Sequence, residues 1–307
     1  MVRFLFNRIV QALLVIWALI TITFFLVRMI PGDPFAGEKN LPESVKAKLR
    51  EQYDLDKPLM VQYWKTISNI ALRGDFGIST KYEGRTVNDF IREAFPISLR
   101  LGLFALAIAL AIGIPAGLLA AVRQNTWADY APMSVAMLGI CLPTFVLGPL
   151  LALLFGIKLG WFNVAGLYEW RDWVLPSLTL GLVYAASIAR MTRGGMLEVL
   201  SQDFIRTAHA KGLHPSRIVF RHALKAGLMP VISFLGPAVA GLVTGSFILE
   251  KIFQIPGLGS HFVEAATTRD VTLIVGTAAF YAVLITGCNL LVDVLMVLLN
   301  PRLKFGS

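Results

Sequence analysis

The chain has 307 residues, 56% of them hydrophobic, and 28 Lys+Arg against 19 Asp+Glu give a net charge of +9. A mean hydropathy of +0.68 excludes an ordinary soluble domain and makes the bilayer the expected solvent. The positive balance does not indicate nucleic acid, because the cations gather at the ends of apolar runs, where they orient spans, rather than among stacking aromatics. The two cysteines, Cys141 and Cys288, both lie inside apolar runs, which excludes a disulfide framework.

Arg3 and Arg8 precede an uncharged run from Ile9 to Val27. That run is longer than the roughly 7–15 apolar residues of a signal peptide. Residues 1–27 are therefore expected to be an N-terminal tail and a retained first transmembrane helix. Residues 28–96 form the one soluble-looking segment, expected to be extracytoplasmic and helical. Pro31-Gly32-Asp33-Pro34 is a turn cluster, a helix is predicted from Leu41 to Tyr53 and another from Pro58 to Leu72, and Gly74-Asp75-Phe76-Gly77 closes it.

Residues 97–300 read as the membrane core. The second span is predicted from Ser98 to Val122 and the third from Tyr130 to Phe155, with Pro143 and Pro149 predicting a kink, which membrane helices tolerate. An outer loop from Gly156 to Trp173 places Trp161, Trp170 and Trp173 at the headgroup level. The fourth span is predicted from Leu175 to Ile188, short unless it continues into Met191. The fifth follows from Val231 to Leu249, an outer stretch from Glu250 to Asp270, and the sixth from Val271 to Leu299. Residues 301–307 are a basic tail. Arg3 and Arg8 before the first span put the N-terminus in the cytoplasm, and an even number of spans puts the C-terminus there too. Ser134 and Thr144 on the third span, and Ser233, Thr244 and Ser246 on or beside the fifth, are candidates to line a pathway, although small residues also pack membrane helices.

Between the fourth and fifth spans, at about 190–230, lies the one long polar interruption of the second half. Arg193, Arg206, Lys211, Arg217, Arg221 and Lys225 outnumber Glu198 and Asp203. Leu197, Leu200, Phe204 and Ala208 recur at helical spacing and are predicted to share a face. Gly212 is a helix stop and Pro215 a helix start. The pattern predicts two short helices meeting at a corner at Gly212-Leu213-His214. A plain topology-setting basic loop is the simpler alternative.

Chemistry within the bilayer is not legible. His209, His214, His222 and His261 all fall outside the predicted spans, and no Gly-Lys-Ser/Thr nucleotide loop occurs. Asp293 is the one acidic residue within a predicted span, near its inner end, where a satisfied interfacial carboxylate is a simpler reading than a proton relay. The chain therefore reads as a passive transport body powered by a partner, with a gradient-driven secondary transporter as the alternative of another class.

The segment Arg206-Thr207-Ala208-His209-Ala210-Lys211-Gly212-Leu213, with Arg221-His222-Ala223-Leu224 and Pro230, resembles the coupling or "EAA" loop of importer-type ABC permeases. Arg206 stands in place of the family's Glu and Thr207 in place of its first Ala. Further stretches match the peptide and nickel branch: Arg28 to Pro34, Gly74 to Ser79, Ala189 to Gly194, Ile252 to Gly259, and Asp293 with Asn300-Pro301-Arg302. The resemblance covers nearly the whole chain and is strongest to the oligopeptide permeases, with dipeptide and nickel permeases as alternatives. It implies an all-α integral membrane protein with six transmembrane helices and the MetI-like type I importer fold, in a bacterial inner membrane. It also implies a second permease subunit, two ATPase subunits that would hold ATP and Mg, an extracytoplasmic binding protein and a peptide substrate. No cofactor is expected in this chain. In this family the loop engages the ATPase, which would give that role to Arg206, Thr207, Ala208, Lys211, Gly212 and Leu213.

Overall fold

The computed structural model describes residues 2–29, 51, 53–244 and 247–299. The predicted turn at Pro31–Pro34, nearly all of the helix predicted from Leu41 to Tyr53, Ser246 and the basic tail lie outside them. Among the described residues the chain is helical, with one isolated bridge between Ile78 and Thr86.

The helices are α1 Val2–Met29, α2 Leu59–Ser68, α3 Val87–Val122, α4 Trp127–Cys141, α5 Thr144–Leu151, α6 Val174–Leu200, α7 Asp203–Ala210, α8 Pro215–Arg217, α9 Leu224–Gly227, α10 Met229–Val243, α11 Phe247–Ile252, α12 Leu258–Thr268 and α13 Val271–Leu299. Five stretches are long and apolar enough to cross a membrane: Phe6–Met29, Val87–Val122, Trp170–Leu200, Met229–Ile252 and Val271–Val294. A sixth crossing follows if the bent pair Trp127–Cys141 and Thr144–Lys158 is one span.

That pair departs from the expected kink. Pro143 is extended (φ −60°, ψ 143°) and caps α5, and the two helices meet at 109°. The residue before a proline is pushed out of the helical region, and Leu142 accordingly has ψ 117°. Pro149, inside α5, is followed by a widened π-helical turn over Ala152–Lys158, one of the few ways a helix absorbs a missing N–H. The second span also starts earlier than predicted. Its helix opens at Val87 and runs through Pro96.

The chain divides into two compact units. The first comprises Met1–Ser98 with Pro256–Gly287. Its core gathers Val87, Phe90, Ala265, Leu273 and Ile274. Asp270, fully buried, ties the unit together. It accepts bonds from the Ser79 hydroxyl, from Thr80 N (3.1 Å) and Oγ1 (3.0 Å), and from Leu273 N (3.0 Å), so it also caps α13. At the end of α1, Arg28 donates twice to Gln62 Oε1 (3.0 and 2.9 Å) and lies over the Phe24 ring. Lys57 and Lys65 bond the Asp54 carboxylate and hold it below the usual carboxylate range.

The second unit comprises Leu99–Ile255 with Cys288–Ser307. Helix α6 is its axis and packs against α4, α5, α9 and α10. The approach to α3 is made by small residues. A Cβ on Gly113 would stand 2.7 Å from the Ala185 carbonyl oxygen, and one on Gly181 would stand 2.9 Å from that of Ala105. Gly113 and Gly117 form a small-xxx-small pair, which lets backbones touch where lipid supplies no hydrophobic drive.

Candidate coupling site

The site begins in α6. This helix does not stop near Ile188 but continues to Leu200, because Met191, Met196, Leu197, Glu198 and Leu200 favour helix and no proline intervenes. The polar interruption is therefore carried on an unbroken rod. Thr192, Met196 and Val199 keep its inner face buried, while Arg190, Gly194 and Glu198 are exposed.

The chain turns at Ser201 and Gln202, and α7 begins with Asp203 in its first turn, where a carboxylate meets the positive end of the helix dipole. Leu197 and Leu200 thus belong to a different helix from Phe204 and Ala208, which corrects the expected common face. On α7 the buried side chains are Ile205 and Ala208, whereas Phe204 is 44% exposed. Ile205 and Ala208 join Ala121, Met196, Val199, Ile218 and Ala223 in one apolar cluster, and Leu213 packs against it from the corner.

The corner is a Schellman turn built around Gly212. Gly212 N donates to the His209 carbonyl (2.9 Å) and Leu213 N to that of Ala208 (3.3 Å), the paired bonds that close a helix over a left-handed residue. Gly212 has φ +73°, and a Cβ there would meet nothing within 4 Å. Glycine is therefore required by backbone conformation and not by space. Pro215 follows at the first position of α8, with His214 as its N-cap. A π-helical turn over Ile218–Ala223 buries Ile218 and Ala223 and leaves Phe220 63% exposed. Helix α9 then returns to α6, where Gly195 lies against the Gly227 backbone so closely that no Cβ fits.

The outcome is a two-faced element. Ile205, Ala208 and Leu213 hold it to the second unit, while Arg206, Thr207, His209, Lys211 and Gly212 are exposed. Arg206 lies 3.4 Å from Asp203, both side chains being largely in water, an arrangement of small energetic value. The outer surface is basic with two exposed aromatic rings, the chemistry of a docking face.

The chain matches the family described as "Binding-protein-dependent transport system inner membrane component" over residues 113–305, and that family's N-terminal companion over residues 1–101. The chain belongs to this family. The permease is 44% identical to the oligopeptide transport system permease protein OppB of Salmonella typhimurium and 43% identical to that of Haemophilus influenzae, each over 99% of this chain and 100% of the relative. It is 44% identical to the dipeptide transport system permease protein DppB of Bacillus subtilis, over 99% and 98%. Among solved structures, the inward-facing MetNI methionine ABC transporter shares the fold at a TM-score of 0.58 and 17% identity, covering 69% of this chain and 96% of that one. An amino acid ABC transporter solved with histidines gives 0.56 and 16%, covering 68% and 94%. The MetI-like membrane fold expected from the resemblance is thus the fold of the permease.

The permease's candidate pathway residues do not form one evident site. Ser134 is exposed on α4 and Thr144 is half-buried at the start of α5. Ser233 Oγ donates back to the Met229 carbonyl (3.0 Å), and Thr244 Oγ1 to that of Ala240 (2.9 Å), so both hydroxyls bond their own helices. Asp293 is half-buried and engaged. Sequence reading missed Asp129. Its carboxylate, 1% exposed, receives Arg193 in a two-pronged bridge of 2.6 and 2.8 Å. A lone acid opening a predicted apolar span was the available signal, and Arg193 is too distant in sequence for spacing to pair them.

Proposed function

We propose that this permease forms the membrane-spanning half of an ATP-driven importer that carries oligopeptides across a bacterial inner membrane, paired with a second permease subunit. End-to-end identity to oligopeptide permeases, at 43–44%, carries this reading. Two ATPase subunits dock on the coupling corner, and an extracytoplasmic binding protein delivers peptide to the opposite face. ATP and Mg belong to the ATPase subunits.

The mechanism follows from the two-faced corner. Closure of the ATPase dimer displaces Arg206, Thr207 and Lys211, with Phe204 and Phe220 as apolar contacts. Ile205, Ala208 and Leu213 transfer the displacement to the cluster on α6. Rigid-body movement of packed helices then alternates the side to which the cavity opens. Both termini lie in the cytoplasm, on the corner's side.

The test is uptake by the reconstituted assembly of permease, second permease, ATPases and binding protein. Labelled pentapeptide is taken up with ATP and not without it. The identity to the Bacillus subtilis dipeptide permease favours a second reading, which predicts uptake of dipeptide and not of pentapeptide. Uptake that persists without ATPase subunits but collapses with the proton gradient overturns both.

A further inference from the structure

We propose that Asp129 and Arg193 are positioning residues that carry the motion of the coupling corner to the broken third span. The inference rests on the coupling role proposed above.

Several observations converge on this pair. Arg193 Nε and one terminal nitrogen grip the two Asp129 oxygens at 2.6 and 2.8 Å. A planar guanidinium bonded twice fixes the rotation of its partner as well as its distance, which packed apolar side chains do not. The same carboxylate accepts the Asn125 N–H at 3.0 Å, and Asn125 sits at φ +62° in the turn joining α3 to α4. One carboxylate therefore joins α6, the first turn of α4 and the inner turn.

The pair's position along the rod matters equally. Arg193 is two residues from Gly195, where α9 returns from the corner and meets α6 backbone to backbone. On the other side, α4 runs unbroken from Asp129 to Cys141, where the 109° bend begins. The route from the corner to the bend thus runs through the widened turn at Ile218–Ala223, the Gly195–Gly227 contact, α6, the ion pair and α4.

Beside the pair lies a cavity of about 400 Å³, lined by Asp129, Tyr130, Met133, Met137, Arg190 and Arg193 among others. Tyr130, Met137, Arg190 and Gly194 of this lining are exposed, so the cavity is open to the surface beside the pair. A buried ion pair is weak evidence of added stability, and its best-attested use is to fix register. Asp129 and Arg193 set the register of α4 on α6.

The experiment uses the complete reconstituted assembly with Asp129→Asn, Arg193→Gln and the exchanged pair Asp129→Arg with Arg193→Asp. ATPase retention, basal ATP hydrolysis, stimulation by peptide-loaded binding protein and peptide uptake are read in parallel. The single variants are expected to retain ATPase subunits and basal hydrolysis but to lose stimulation and uptake at least tenfold. The exchanged pair is expected to recover at least a third of both. Single variants with uptake and stimulation within twofold of the parent overturn the proposal. So does an assembled exchanged pair no better than the singles. Failure of the singles to assemble, not relieved by the exchange, assigns the pair to folding alone and also overturns it. Failure of the coupling reading looks different, because ATPase subunits then stay bound when the corner itself is disrupted.

Discussion

Gly212 and Gly195 lie in the same segment between the fourth and fifth spans and are glycine for opposite reasons. Gly212 has φ +73° and open space around it, whereas Gly195 sits in an ordinary helix with the Gly227 backbone pressed against it. The corner is thus specified by the sign of one backbone angle and stays free on its outer side. The joint between α9 and α6 is specified by volume and is closed. A lever needs both, namely a shape that holds while its surface is contacted and a joint that does not slip. Substitutions that separate angle from volume should therefore separate the two positions.

The largest effect is expected at the joint. Gly195→Val puts carbon where the Gly227 backbone already lies, and overpacking of this kind costs about 1–3 kcal/mol. Because backbone cannot rotate away, α9 must leave α6. Loss of ATPase subunits on purification and a fall in uptake of more than tenfold are the expected readouts. Normal retention with Gly195→Val would show that the joint is not closed.

At the corner a smaller, conformation-dependent loss is expected. Holding an ordinary L-residue in the left-handed region costs about 1–2 kcal/mol, so Gly212→Val should reduce uptake severalfold at unchanged membrane level. Gly212→Asn should recover most of it, since asparagine tolerates that region. Equal damage from Val and Asn would mean that space, not angle, matters there.

Next come the exposed rings. Phe204 and Phe220 are 44% and 63% exposed and lie outside the apolar cluster of the corner, so Phe204→Ala and Phe220→Ala should each change stability by less than about 1 kcal/mol, read as the thermal midpoint of the isolated permease. ATPase retention should nevertheless weaken. The smallest effect is expected for Asp203→Ala, which removes the exposed pair with Arg206 and the charge in the first turn of α7, both weak at an exposed site, and should lower the midpoint slightly and leave uptake nearly unchanged.

Much of this was legible in the sequence for identifiable reasons. Hydropathy marks α1, α3, α6, α10 and α13, because a span must be apolar along its length. The Gly212 and Pro215 corner is written in two residues whose backbone limits are local. What sequence misjudged is non-local. Period alone puts Phe204 on one face with Leu197, Leu200 and Ala208, but the turn at Ser201 and Gln202 starts a new helix with its own phase. The 109° bend at Pro143 exceeds what a proline requires, so its magnitude is set by packing within the second unit. Asp129 and Arg193 meet only because α4 packs against α6. The contact of Gly195 with Gly227 depends in the same way on tertiary approach.

The most direct test of the account is photo-crosslinking from Lys211, an exposed residue at the rim of the corner, in the native assembly. A photo-reactive side chain placed there should capture an ATPase subunit, and one placed at Tyr168, in the loop predicted to lie outside, should not. Capture from Tyr168 and none from Lys211, or modification of Lys211 by a membrane-impermeant reagent added outside intact cells, would contradict it.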